Sequence, residues 1–390
     1  MLSVSSQKLA DYRAGAVPIM TFGHEYGHAP AASGYGYSYD YGNDGVFSRQ
    51  MAALSYESGL GRGFGKGSAM TSIVDMTVTE LNENDVFGDD SGVNFAEYAM
   101  WMGFTNKGSD WKSQRWNSEW VRIGDHFLLY RPKAQSSLTK LKCKGVLAQF
   151  DKSVSLKSNQ RPAKTIAEGL ADLLPCTVAV FLERLCDEAY VSLYSTNFTS
   201  SSIEIRTNPF TNNSNVTCRD VLDWILDMTG CYVRVKYVDG TSSPREYNQI
   251  ELFSLLAGDV KPLVNIVNMQ CSNYDIYIPE VTVEGDGWSV TKTSSKSGVY
   301  DRRSLTLEAC PLLECLGSTT MSRTVAGYMA QKWVGQTLCE FEIDLASGWV
   351  YEPGDCVSFK DVNDKTRYGW ITYVKHTMGG VTRIKCELAS

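Results

Sequence analysis

The chain has 390 residues, 43% of them hydrophobic and 21% charged, which is typical of a globular protein with two to four domains and argues against wholesale disorder. The net charge is −7 and the longest basic run is Arg302-Arg303, so a nucleic-acid-binding protein, which usually concentrates positive charge, is disfavoured. The start of the chain lacks the apolar segment of a signal peptide, and no apolar run approaches ~18 residues, so we expect neither export by its own signal nor stable membrane insertion.

The eleven cysteines favour free thiols over a disulfide framework. Their number is odd, no two of them have C-x-x-C spacing, and most lie among apolar neighbours, as Cys231 does. Small buried thiols in a protein made in a reducing cytoplasm fit this pattern better than paired cysteines do.

A strand is predicted at 16–22, followed by a Gly/Tyr-rich insertion at 24–67. The insertion contains GYGYSYDYGNDG and GLGRGFGKG, and each glycine costs about 1 kcal/mol inside a regular element. We therefore expect a long, exposed and only partly ordered loop whose tyrosines could pack against a neighbouring subunit.

The same insertion holds a match to the H-E-x-x-H pattern of zinc peptidases, with His24, Glu25 and His28. That chemistry requires a helix, because both imidazoles must face one Zn²⁺. Gly23 before the pattern and Pro30 after it disfavour a helix, and no third ligand is evident. The prediction is a loop with no metal, cofactor or catalytic residues.

Strands resume after the insertion. Residues 70–81 alternate at period two, whereas 95–102 are predicted as a short helix. Trp111, Trp116 and Trp120 could form a carbohydrate platform, although buried anchors of a β domain are favoured. Residues 123–151 are predicted as a β meander that opens with Gly124-Asp125.

The middle of the chain changes to helical periodicity. A helix is predicted over 161–174, with Pro162 in its first turn, and 178–194 could extend the helical structure. A second helix is predicted over 218–229, with a capping box of Thr217 and Asp220 and a C-cap at Gly230.

The second helix is predicted to lead into a hairpin of strands at 231–238 and 248–253. Three acidic residues of the helix, Asp220, Asp223 and Asp227, are assigned to its solvent-exposed face and not to a catalytic cluster.

The last third returns to strands. Asp286-Gly287 predicts a hairpin turn, and a helix is predicted over 322–334 with an apolar face of Val325, Tyr328, Met329 and Trp333. Residues 351–388 read as a three-stranded antiparallel meander that opens with the turn Glu352-Pro353-Gly354-Asp355.

These elements predict a mainly β, α+β fold made of two tube-like β modules (barrel or sandwich) with a small inserted α+β region. The predicted domains are an N-terminal β module over 1–155, an α+β region over 156–258 and a C-terminal β module over 259–390. The second Gly-Asp pair, Gly354-Asp355, echoes Gly124-Asp125 and hints that the two modules are related.

The order of these elements resembles the baseplate-hub, or tail-associated, proteins of tailed bacteriophages and related contractile injection devices. The resemblance covers roughly 120–390 and rests on two motifs. The helix motif T-x-R-D-x-L-x-x-I-x-x-x-x-G is matched by Thr217, Arg219, Asp220, Leu222, Ile225 and Gly230. The terminal motif P-G-D-x-V … I … G-G is matched by Pro353, Gly354, Asp355, Val357, Ile371, Gly379 and Gly380.

The resemblance implies a non-enzymatic virion protein of the tail tip, made in the cytoplasm of the bacterial host. It implies a homotrimer that closes the distal end of the tail tube beneath a hexameric distal tail protein or tube ring. The implied partners are the tape-measure protein and spike or receptor-binding fibres. An acidic lumen would let viral DNA pass during genome ejection without specific binding.

Two alternatives stay open at this point. A zinc metallopeptidase would use His24, Glu25 and His28, and a glycan-binding receptor module would use the tryptophans at 101–120. Zinc content separates the first from the hub, and saturable glycan binding separates the second.

Overall fold

The computed structural model of the protein describes residues 17–24, 51–61, 69–79, 95–105, 121–130, 137–158, 164–210, 215–237, 248–255, 260–295, 301–346, 350–377 and 380–389. More residues lie in strands than in helices, and the predicted mainly β, α+β class is confirmed.

Twenty strands lie in the described residues. They are β1 (Val17–His24), β2 (Met51–Gly59), β3 (Ile73–Thr79), β4 (Phe95–Thr105), β5 (Val121–Tyr130), β6 (Leu138–Gly145), β7 (Cys176–Thr177), β8 (Ser192–Leu193), β9 (Glu204–Ile205), β10 (Tyr232–Tyr237), β11 (Asn248–Phe253), β12 (Lys261–Pro262), β13 (Ile266–Tyr277), β14 (Glu280–Gly285), β15 (Trp288–Thr293), β16 (Leu305–Glu308), β17 (Thr337–Leu345), β18 (Cys356–Lys360), β19 (Thr366–Thr377) and β20 (Thr382–Ala389).

In the described ranges, five α-helices and one 3-10 helix accompany these strands. The 3-10 helix is Val146–Phe150, and the α-helices are α1 (Ile166–Ala171), α2 (Val178–Ala189), α3 (Cys218–Thr229), α4 (Pro311–Glu314) and α5 (Thr319–Trp333).

The N-terminal β module is an antiparallel sheet. Its five strands β2 to β6 have the spatial order β2-β3-β6-β5-β4, and β1 pairs with the outer side of β4. Alternate residues of β6 are buried, as expected for a sheet with one face on a core. Numbered along the chain from β2, this order is 1-2-5-4-3.

The C-terminal β module repeats that order. Its strands run β13-β17-β20-β19-β18, again 1-2-5-4-3 and again antiparallel throughout. The prediction that the two modules are related is thus supported by their topology. The similarity of the two Gly-Asp pairs is not evidence for this relation. Gly124-Asp125 lies inside β5, whereas Gly354 occupies a turn with φ +90°.

The C-terminal module closes into a small barrel. Strand β12 pairs with β18, and the chain then bends through Asn265, at φ +57°, into β13, which pairs with β17. Phe341 of β17 and Phe359 of β18 meet edge to face with ring centroids 5.2 Å apart. Since two strands separate β17 from β18 in the sheet, their contact spans the barrel interior.

Segments outside the two β modules form an α+β body with an apolar core. The core combines the 3-10 helix, the helices, the β10–β11 hairpin and the small sheet β15-β14-β16. Its residues come from 146–252 and from 276–338, so the second contribution lies beyond the predicted domain boundary at 259. The division into domains at 155 and 258 stays a prediction.

The helix caps confirm part of the sequence reasoning. Helix α3 begins after Thr217, which forms a capping box with Asp220, and ends at Gly230 with φ +66°. Helix α1 is shorter than the predicted 161–174, because a capping box of Thr165 and Glu168 starts it at Ile166.

Four further predictions are wrong. Residues 95–102 form part of β4, because pairing with β1 and β5 outweighs the helix propensity of this Ala/Met-rich run. The insertion predicted over 24–67 contains the sheet strand β2. The helix at 178–194 ends at Ala189, where Tyr190 turns left-handed. Tyr328 is 72% exposed on α5, so it does not belong to that helix's apolar face.

Candidate functional site

The two β modules are joined into one twelve-stranded sheet by the pairing of β2 with β19. Residues 55–59 of β2 run antiparallel to 373–377 of β19. The backbone bond from Leu60 N–H to the carbonyl of Thr372, 2.9 Å, extends this pairing by one step. We regard this seam as the candidate site, because it fixes how one β module sits beside the other.

A buried histidine lies in the middle of the seam. His376 is directly opposite Tyr56, and the two rings stack with centroids 5.7 Å apart and planes 7° apart. Its Nδ1 is 3.0 Å from Oγ1 of Thr382. Burial lowers the pKa of His376 to about 3, so the imidazole is neutral at physiological pH.

The margin of the seam is polar. The hydroxyl of Tyr373 donates to Oε2 of Glu57 at 2.9 Å, and the ammonium of Lys375 lies 3.7 Å from the same carboxylate. Burial, assisted by the hydrogen bond to Glu57, raises the pKa of Tyr373 to about 12. Tyr373 is therefore a neutral hydrogen-bond donor across the joint.

Gly59 allows the strands to approach closely at the end of the seam. A β-carbon at this position would lie 3.1 Å from the carbonyl oxygen of Thr372 and 2.7 Å from Sδ of Met70. A larger residue would have to shift the Met70 side chain and press on the partner backbone, so glycine favours the close pairing.

A second contact ties the N-terminal module to the α+β body through helix α3. Arg219 donates to the carbonyl of Ala69 at 3.1 Å, to Oγ1 of Thr71 at 2.6 Å and to the carbonyl of Leu147, and its Nε lies 3.2 Å from Asp151. One guanidinium thereby holds the segment before β3, the 3-10 helix and α3 together.

Asp223 completes this contact one helical turn later. Its Oδ1 accepts the N–H of Ala69 at 2.8 Å, so Arg219 and Asp223 satisfy both backbone groups of one residue. The assignment of Asp223 to a purely solvent-exposed face is wrong. Asp220 is exposed and serves the N-cap, as predicted.

The structure describes only part of the zinc-peptidase pattern and none of the three tryptophans proposed as a carbohydrate platform. His24 is the last residue of β1, paired with Tyr98, whereas the zincin pattern needs it in a helix. Glu25, His28 and the tryptophans at 111, 116 and 120 lie outside the described residues. Within the described part of the chain, no group of three or more His, Cys, Asp or Glu side chains is arranged to hold a metal ion.

No helix in the described ranges combines the length and apolar character needed to cross a bilayer. The absence of catalytic, cofactor and metal residues stays a prediction.

Comparison with known proteins gave matches to solved structures only. No family model matches the chain, and no curated protein is similar to it in sequence. The 43 kDa tail protein of prophage MuSo2 from Shewanella oneidensis has 11% identity and a TM-score of 0.44, over 86% of this chain and 92% of that one. The prophage tail protein gp18 of Listeria monocytogenes EGD-e has 11% identity and a TM-score of 0.42, over 86% and 87%.

A third similar structure is the E. coli c3393 protein, described as a component of the type VI secretion system with structural similarity to the T4 bacteriophage tail proteins gp27 and gp5. It has 10% identity and a TM-score of 0.43, over 87% of this chain and 73% of that one.

Proposed function

We propose that the chain is a structural, non-enzymatic component of a bacteriophage tail tip: a baseplate hub that closes the distal end of the tail tube and connects it to spike or receptor-binding parts. The observation that carries the proposal is the strand order 1-2-5-4-3, repeated in two β modules that one chain joins edge to edge. The wall of a tube is built by the same repetition of equivalent modules.

The junction within the chain supplies a template for a junction between chains. Within the chain, the first strand of the N-terminal module (β2) lies on the fourth strand of the C-terminal module (β19). The equivalent contact between copies would place β13, the first strand of the C-terminal module, along the fourth strand of the next copy's N-terminal module. This contact is head to tail, and it forms a ring when the rotation closes.

Only the two residues of β12 close the barrel against β18, so within the described strands β13 itself keeps an edge that is suited to such a partner. Ile266 is 37% exposed and Val267 is 62% exposed at the start of this strand, which pairs only with β17 among the described strands. An edge strand that carries exposed apolar side chains is a template for pairing with a strand of another chain.

Three copies would supply six modules. A homotrimer would therefore present pseudo-sixfold symmetry to a hexameric distal tail protein or tube ring above it. The tape-measure protein inside the tube and spike or fibre proteins below are the further proposed partners. A net charge of −7 suits a channel through which DNA slides without specific binding.

The test is the mass of the purified protein in solution, with zinc measured on the same sample. We expect a discrete trimer near three times 43.3 kDa without stoichiometric zinc. Val267→Lys should shift the trimer towards monomer by charging the β13 edge, and Val362→Lys should leave it intact, since Val362 is 76% exposed in the β18–β19 hairpin. A monomer with one zinc that His24→Ala removes would overturn the proposal in favour of a peptidase.

A further inference from the structure

Two cysteines of the C-terminal barrel lie in thiol–thiol contact. Sγ of Cys271, on β13, is 3.6 Å from Sγ of Cys339, on β17. All eleven cysteines are free thiols, and eight of them are buried. In the β13–β17 register Cys271 lies opposite Phe341, two positions from Cys339, so closure to a bond of about 2.05 Å requires an approach of both the side chains and the irregular strand that carries Cys271.

The backbone around the pair is irregular on the β13 side. The β13–β17 register shifts between Cys271 and Asn273 and again between Asn273 and Ile276. Such bulges leave residues outside the regular ladder and bend the strand. A covalent link here would join the bent strand that closes the barrel to its neighbour at the point where their hydrogen bonding is least regular.

The two thiols differ in access, which gives each of them a role. Cys271 is partly exposed, whereas Cys339 is 1% exposed. A small oxidant from solution can therefore reach Cys271 first, and Cys339 is placed to attack the product from inside the barrel.

We propose that Cys271 and Cys339 form a reversible disulfide by exchange with a low-molecular-weight disulfide such as oxidised glutathione. The Cys271 thiolate attacks one sulfur of that disulfide, forming a mixed disulfide and releasing one glutathione thiolate. The Cys339 thiolate then attacks Sγ of Cys271, forming the internal bond and expelling the second glutathione thiolate.

Atoms and electrons balance in this exchange. The two protein thiols are oxidised, the added disulfide is reduced to two glutathione molecules, and the two thiol protons pass to the released thiolates. The proposal rests on the barrel's own geometry and holds whether or not the chain is a tail protein.

The bond would close a loop of 68 positions along the chain. A cross-link stabilises mainly by restricting the unfolded chain, more so for a longer loop. We expect the Tm of the oxidised protein to exceed that of the reduced protein by on the order of 5 °C.

The experiment treats the folded full-length protein with oxidised glutathione, blocks the remaining thiols with N-ethylmaleimide and measures the intact mass and the peptides of a non-reducing digest. With alkylation carried out in denaturant, we expect nine of the eleven thiols to be modified, a linked peptide pair containing Cys271 and Cys339, and reversal by dithiothreitol. Cys271→Ser, at the partly exposed position, should abolish both the linked pair and the Tm difference.

Cys176→Ser is the matched control, because Cys176 is also partly exposed but lies in β7 of the α+β body. This variant should form the linked pair as the unaltered protein does. A stable glutathione adduct on Cys271 without the linked pair, or a linked pair made of other cysteines, would overturn the proposal.

Discussion

The N-terminal and C-terminal β modules have the same strand order but are completed by different pieces of chain. In the C-terminal module, β12 adds to the outer strand β18 in parallel and continues directly into β13, which closes a barrel. In the N-terminal module, β1 adds to the outer strand β4 in the antiparallel direction. At the other side of that module, β2 pairs with β19 of the C-terminal module. The two modules therefore share their order of five strands. They differ in the strand added at the outer side, which is β1 in the N-terminal module and β12 in the C-terminal module.

The substitution with the largest expected effect on the free energy of unfolding tests whether the two β modules are stabilised separately. Phe341→Ala removes a ring that is 1% exposed and in contact with Phe359, so we expect a loss of about 3–5 kcal/mol in the free energy of unfolding. Hydrogen exchange should rise in β17 to β20 more than in β3 to β6.

The matched change in the N-terminal module is Val74→Ala. Val74 is fully buried on β3, the strand equivalent to β17, and its loss should raise exchange in β3 to β6 first, with a smaller overall cost because fewer atoms are removed. Identical exchange patterns in the two variants would mean that the modules unfold as one unit.

Arg219→Ala tests the attachment of the N-terminal module to the α+β body. It would leave the carbonyls of Ala69 and Leu147 without this donor, at a cost of about 2–4 kcal/mol in denaturant unfolding. Arg206→Ala is the control, because Arg206 is 59% exposed in its ion pair with Glu204 and should cost at most about 1 kcal/mol. Equal costs would show that Arg219 does not hold the two parts together.

The smallest expected effect concerns the seam and its dependence on pH. Because the pKa of His376 is about 3 in the folded protein and about 6.5 in the unfolded chain, the unfolded chain binds the proton first as pH falls. Stability should decline as pH decreases from 6.5 towards 3, with about 2 kcal/mol lost by pH 5 from this group.

The variant His376→Gln isolates that contribution. It should unfold with a shallower dependence on pH between 6.5 and 5, whatever its stability at neutral pH. An unchanged slope would show that His376 does not sense pH at the seam.

Local signals predicted the elements they fully determine. Helix α3 was predicted at its observed bounds because Thr217, Asp220 and Gly230 specify both of its ends. The C-terminal meander and the turn at Asp286-Gly287 were predicted from alternation and turn residues in the same way.

What the sequence did not reveal depends on distant partners. Residues 95–102, predicted as a helix, form a strand because β4 pairs with its neighbours in the sheet. The strand β2 is not predicted because glycine-rich segments flank it, although it pairs with β3. The site was less predictable still. Arg219 was recognised as part of a motif, but its partners Ala69 and Thr71 lie about 150 positions earlier. Nothing local pairs Tyr56 with His376.

The seam between β2 and β19 also has a consequence for synthesis. The hydrogen bond from Tyr373 to Glu57 joins residues 316 positions apart. A ribosome adding about 5–20 residues per second makes β2 many seconds before the strand that will cover it. Throughout that interval β2 lacks its outer partner, so a nascent chain needs protection from mispairing, and only a chain translated past position 377 can present the joined pair of modules to other subunits.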